Sequence, residues 1–206
     1  MLRPALILAA ALLSVLWMGP LRAEEEKVSR FVEILAPLID PAKLDTLKGD
    51  RAANRRLRKI THHLETARRE GSPPEDVIDA AQVNLGVTGT ARGKAVKASL
   101  IRNMDILRKL GCLDAAGMAK LRTGNAPTIT LGPYAGDIAS VDHIIPRSVC
   151  EELDERLYNL EFMPSRMNSS KGNKITMRQV QLGRKWNKIG LLSNEGLAAV
   201  ESRFKE

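Results

Sequence analysis

The chain has 206 residues, with 32 Lys and Arg against 24 Asp and Glu, a formal net charge of +8 at pH 7. A modestly basic balance of this kind suits a polyanionic partner. Its aromatic residues are only Trp17, Phe31, Tyr134, Tyr158, Phe162, Trp186 and Phe204, too few for a base-stacking platform, so grip on a sugar-phosphate backbone with low sequence specificity is the expectation.

Arg3 precedes an apolar run from Ala5 to Met18, followed by Gly19-Pro20, Leu21-Arg22-Ala23 and three glutamates. A charged start, a short apolar core, a helix break and a small residue at the cut site describe a secretory signal peptide over residues 1–23, with no membrane anchor left after cleavage and a secreted or periplasmic product. From there to residue 121 the chain reads as helical. Glu24 to Leu38 opens on acidic residues and is stopped by Pro41. Asp50 to Arg69 carries Leu57, Ile60 and Leu64 at helical spacing. Ser72-Pro73-Pro74-Glu75 reads as a helix start with Ser72 as N-cap, leading into Val77 to Leu85. Thr90 to Leu110 has Ala98, Ile101, Leu107 and Leu110 as its expected core, and a short helix follows over Asp114 to Leu121. The adjacent His62 and His63 diverge by about 100° on a helix and read as structural, not as a metal pair. No internal repeat or low-complexity tract occurs.

The second half changes character. Thr128 to Leu131 reads as a strand, Ile138 to Ile145 (IASVDHII) as a β-branched strand ended by Pro146, and Leu157 to Met163 as another short strand. Ser165 then caps a basic helical turn through Lys174, and Ser193 caps a closing helix through Phe204. In this strand, loop, strand, helix unit, Asp142 at the end of one strand and the side-chain amide of Asn168 on the helix form a pair able to hold one hard divalent cation, with water filling the rest.

Asp142-His143-Ile-Ile-Pro, Asn159-Leu160 and Asn168-x-x-Lys171-Gly172 together resemble the HNH, or ββα-metal, endonuclease motif, over about the last third of the chain. With Asn168 where most members have His, they are similar to the HNN variant of RNA-guided CRISPR nucleases. The resemblance implies His143 as general base, Asn159 as the residue that orients the His143 ring, and Asp142 and Asn168 as ligands of one divalent metal ion, Mg²⁺ first and Mn²⁺ or another ion as alternatives. The paired CxxC zinc knuckles that brace many members are missing, so something else must hold the loop between the strands.

Seven cations and no carboxylate lie between Ser165 and Lys188; of these Arg166, Lys171, Lys174 and Arg178, with Arg147 in the loop, are the expected nucleic-acid contacts. A second cluster, Arg51, Arg55, Arg56, Arg58 and Lys59, reads as a solvated helix face. In an oxidising compartment Cys112 and Cys150 either form one disulfide, worth about 3 to 4 kcal/mol by loop closure, or remain two buried thiols.

The fold expected is α+β and mainly helical: a helical region over 24–121 and a ββα-metal unit with C-terminal helices over 122–206, the two forming one continuous body. The function expected is an exported, metal-dependent endonuclease hydrolysing DNA in preference to RNA. Its rival is a non-catalytic protein that binds nucleic acid or another polyanion through a vestigial motif.

Overall fold

In the computed structural model residues 26–47 and 51–204 are described, so the leader read at residues 1–23 lies outside the described residues. Helix α1 covers residues 26–39, and Asp40 caps the single turn α2 (Pro41–Leu44) by accepting from the Ala42 N–H at 2.9 Å. Helix α3 (Ala52–Arg69) buries Leu57, Ile60 and Leu64 as their spacing predicts. Helix α4 (Pro74–Asn84) starts one residue later than expected. Pro73 is its N-cap and Pro74 takes the first helical position, where a missing N–H costs nothing. Ser72 is instead buried in the turn that closes α3, its N–H donating to Ala67 O.

Helix α5 (Ala91–Lys109) is capped by the Thr90 hydroxyl, which accepts from Gly93 N–H at 3.0 Å. Its buried face matches the expected one at Leu107 but is centred elsewhere. Val96, Ser99, Leu100, Asn103, Met104 and Leu107 turn inward, whereas Ala98 is exposed and Ile101 and Leu110 are half-buried. Two polar residues sit in the buried stripe, and a reading by hydrophobicity alone passes over them. Helix α6 (Ala115–Arg122) follows with Asp114 as N-cap. Thr128 to Leu131 is not a strand: only Thr128 bridges to Ile138. The N–H groups of Thr130 and Leu131 both donate to Leu110 O at the end of α5, and Gly111, at φ 69°, has no Cβ to collide with them.

Strands β1 (Ala139–His143) and β2 (Leu160–Pro164) pair antiparallel, Asp142 opposite Glu161 and His143 opposite Leu160. Both are shorter than the sequence pattern suggests. Ile144 and Ile145 leave the ladder and bury themselves in the core, and Leu157–Asn159 forms a 3₁₀ turn closed by Asn159 N–H to Arg156 O at 2.7 Å. Helix α7 (Ser165–Lys171) leads directly from β2, then come α8 (Met177–Lys188), with a Thr176–Gln179 capping box, and α9 (Asn194–Arg203), capped by Ser193. Among the described residues the chain is therefore mainly helical with one two-stranded sheet, an α+β arrangement.

A lone two-stranded ribbon is marginal in water and exposes backbone on both edges. Here side chains of the helical region cover those edges. Asn103 of α5 donates Nδ2–H to Leu160 O at 3.0 Å and accepts Phe162 N–H at 2.8 Å, pairing with β2 as a neighbouring peptide would. Ser99 donates to Leu157 O at 2.9 Å, and on the other edge Asn54 of α3 donates to Val141 O at 3.3 Å. One cluster of buried apolar side chains runs from Phe31 to Val200, through both the 24–121 and the 122–206 regions. No helix among the described residues is long and apolar enough to cross a membrane.

Candidate active site

Alternation along β1 sends Ser140 and Asp142 to one face of the ribbon and Val141 and His143 to the other. Helix α7 lies against the first face. Asn168 and Lys171, three residues apart and so on one side of the helix, reach two strand positions two apart. Asn168 Nδ2 donates to Ser140 Oγ at 3.3 Å, and the Lys171 ammonium donates to Asp142 Oδ2 and to His143 O. Asp142 and Glu161 face each other across the strand pair, where like charges repel. Each carboxylate has its own cation: Lys171 for Asp142, and for buried Glu161 the Arg178 guanidinium, which donates two bonds of 3.0 and 2.8 Å. Those bonds to Glu161 raise the Arg178 pKa above its ordinary value.

The His143 ring leaves by the opposite face and meets the loop between the strands. Its Nε2 lies 2.8 Å from Asp154 O and 2.9 Å from Asp154 Oδ1. A carbonyl oxygen only accepts, so Nε2 carries a proton, and the neutral tautomer this permits has its lone pair on Nδ1. Arg147 Nη1 stands 3.8 Å from Asp154 Oδ2, and a shallow depression of about 470 Å³ lined by Arg147, Ser148, Val149, Glu151 and Asp154 opens beside that pair. The structure thus groups Asp142, Asn168 and Lys171, and separately His143 with Asp154.

Among the described residues the Asn159 carboxamide bonds to loop backbone and not to the His143 ring, which the sequence resemblance implies it orients. Fully buried, its carboxamide accepts Ile145 N–H at 2.8 Å and donates to Ile145 O at 2.9 Å and Leu153 O at 3.1 Å. It staples the two ends of the loop, and Asp154, next to Leu153, holds the ring. This staple, with Asn103 and Asn54 on the ribbon edges, does the bracing for which no zinc knuckle is present.

Whether Asp142 and Asn168 suit a divalent cation is a question of donors. Asp142 Oδ1 and Asn168 Oδ1 accept no hydrogen bond from the described residues, and the Lys171 ammonium marks the carboxylate as a seat for positive charge. An all-oxygen pair fits a hard ion such as Mg²⁺ or Mn²⁺ that keeps several waters. No group of three or more His, Cys, Asp or Glu forms a metal cage among the described residues.

The basic strip after Ser165 is largely neutralised. Besides Lys171 and Arg178, Arg184 pairs with Glu201 at 2.7 Å, and Arg166 lies 3.5 Å from Asp137. Asp137 also takes the Arg166 N–H at 3.0 Å, so it, and not Ser165, satisfies the start of α7. The Arg166 backbone bond holds its carboxyl below the usual range. Lys174, Lys185 and Lys188 are exposed and in no ion pair among the described residues.

The disulfide alternative does not hold: Cys112 and Cys150 are both free and buried. Cys112 sits at the end of α5, facing Leu110 O, whereas Cys150 packs on Glu152 and Gly196 of α9. Burial pushes the Cys112 thiol up to about 12 and Cys150 to about 11. Sequence reasoning missed Asp154, Glu161, Ser99, Asn103 and Asn54. Ser99 and Asn103, four residues apart on an otherwise apolar stripe, were the one legible signal among them.

No family model, no curated protein and no solved structure matches this chain.

Proposed function

We propose that the protein is an exported, metal-dependent endonuclease of HNH type that hydrolyses phosphodiester bonds of DNA, in preference to RNA, with little sequence specificity. The observation that carries the reading is the 2.8 Å contact of His143 Nε2 with Asp154 O. With Nε2–H committed to Asp154 O, Nδ1 is left as the proton acceptor, the requirement for a general base acting on water. Asp142 and Asn168, across the ribbon from the ring, offer the oxygens that would hold one divalent ion. Such an ion, when bound, stabilises charge on the phosphate and on the leaving oxygen. Asp154 keeps the ring oriented, through its backbone carbonyl and its carboxylate. The motif run from Asp142 to Gly172 and its β1, β2, α7 setting support the assignment, and the leader pattern supports export.

A second reading, a non-catalytic protein that binds nucleic acid or another polyanion, draws on one observation: the Lys171 ammonium already neutralises Asp142. Plasmid nicking by protein beginning at Glu24, with Mg²⁺ or Mn²⁺ against EDTA, separates the two. Nicking that needs the metal and disappears in His143→Ala is the expected result. DNA binding without nicking under either metal would overturn the nuclease reading in favour of the second.

A further inference from the structure

The cationic cluster at the start of α3 is left unused by the chemistry above, and the strip after Ser165 is mostly tied to carboxylates. The two differ in their neighbours. Arg55 is exposed and Lys59 half-buried, and neither forms an ion pair among the described residues, nor does Arg122 at the end of α6. Helix α6 brings Arg122 in by docking its C-terminal turn on α3. Arg58 Nη1 donates to Gly124 O at 3.2 Å, and Gly124 seats against Arg55 and Lys59 closely enough that a Cβ there would lie 3.3 Å from Arg55 O.

This cationic face adjoins the candidate active site. Asn54, one residue before Arg55 and 4 % exposed, donates to Val141 O, the carbonyl that precedes Asp142. Its Oδ1 has no partner among the described residues, and neither does Arg58 Nε. The first turns of α3 are therefore fixed against the outer edge of β1, within one residue of the proposed metal ligand.

Like charges crowd this surface. Burial, then Arg51 and Arg55, lower the Arg58 pKa; burial and Arg122 lower that of His62; burial, His62 and Lys59 lower that of His63. Cations held close together repel one another, and that repulsion is relieved when a polyanion binds.

We infer that the face formed by Arg55, Arg58 and Lys59 of α3 with Arg122 of α6 binds the sugar-phosphate backbone of the nucleic acid and leads it to β1. The helical region is then part of the substrate-binding surface as well as the brace of the ribbon. The inference rests on the nuclease reading for its choice of polyanion.

The test measures binding of a fluorescein-labelled DNA duplex by anisotropy across a salt series, in the His143→Ala background so that the probe stays intact. The combined Arg55→Gln, Lys59→Gln and Arg122→Gln substitutions alter exposed or half-buried side chains, and thermal melting checks that the fold is kept. Loss of three phosphate contacts is expected to flatten the slope of log K against log salt by about 2 to 3 and to weaken binding roughly 10- to 100-fold near physiological salt. The combined Lys174→Gln, Lys185→Gln and Lys188→Gln substitutions are expected to do less. Unchanged affinity and slope in the α3–α6 variant, with the parent still binding, would overturn the inference and leave the nuclease reading standing. A parent that binds no duplex at any salt would overturn both.

Discussion

Replacing Asn159 tests the loop staple directly. Its carboxamide makes three buried hydrogen bonds, to Ile145 N–H, Ile145 O and Leu153 O. At about 1 kcal/mol net each, with a further penalty for backbone groups orphaned out of reach of water, Asn159→Ala is expected to cost about 3 to 5 kcal/mol. That is a large share of the 5 to 15 kcal/mol that typically holds a domain of this kind together. Urea unfolding followed by circular dichroism measures it, through a fall in midpoint at unchanged slope. Asn159→Asp sharpens the test. One carboxylate oxygen keeps the Ile145 N–H, but the other faces the Ile145 and Leu153 carbonyl oxygens, and only a protonated acid can donate to them. The folded-state pKa of the new group would lie above its unfolded value of about 3.9, so the folded state binds the extra proton and stability falls as pH rises from about 4. The reasoning is refuted if Asn159→Ala loses less than about 1 kcal/mol, or if Asn159→Asp matches the parent at neutral pH.

Glu65 of α3 is 1 % exposed in its side chain; burial pushes its pKa up, but hydrogen bonds from Arg68 and Arg69 outweigh that and hold it below the ordinary glutamate value. Its contribution is therefore present above the unfolded pKa of about 4.3 and lost as pH falls through the lower folded value. Glu65→Gln is expected to cost about 1 to 3 kcal/mol at pH 7 and to flatten the acid limb of a stability profile, and an unaltered limb would count against it. Both thiols, raised to about 12 and 11, are expected to resist a thiol reagent in the native state, to react once the chain is unfolded without reductant, and to leave the Tm unchanged on addition of dithiothreitol. Lys171→Met removes the ammonium from Asp142, and titration calorimetry with Mn²⁺ is expected to show several-fold tighter binding; equal or weaker binding would mean that the lysine does not compete for that carboxylate.

Much of the helical scaffold was legible because its signals are local: the helix starts at Thr90 and Asp114, the Ser193 cap, and the spacing of Leu57, Ile60 and Leu64. The β1, β2, α7 order was legible for the same reason, since Pro146 and Pro164 punctuate it. What escaped depends on partners far apart in sequence. The partner of His143 lies eleven residues on, in a loop whose course is set by Asn159, and nothing near Asp154 announces it. Asn103 acts on β2 fifty-nine residues away, and its polarity made a core face look like a solvent face. The strip from Ser165 to Lys188 is free of acids in sequence, yet Asp137, Asp142, Glu161 and Glu201 reach it in space.

The pairing of Asn103 with β2 bears on how this unit can be moved or inherited. A ribbon whose outer edge is completed by a side chain from another helix is not a portable cassette: cut away from α5, β2 would present Leu160 O and Phe162 N–H to any strand that came near. A chimera carrying only the β1 to α7 segment would need a new carboxamide, or a third strand, at that edge. The helix that carries Asn103 and the strands after residue 138 therefore have to be transferred together.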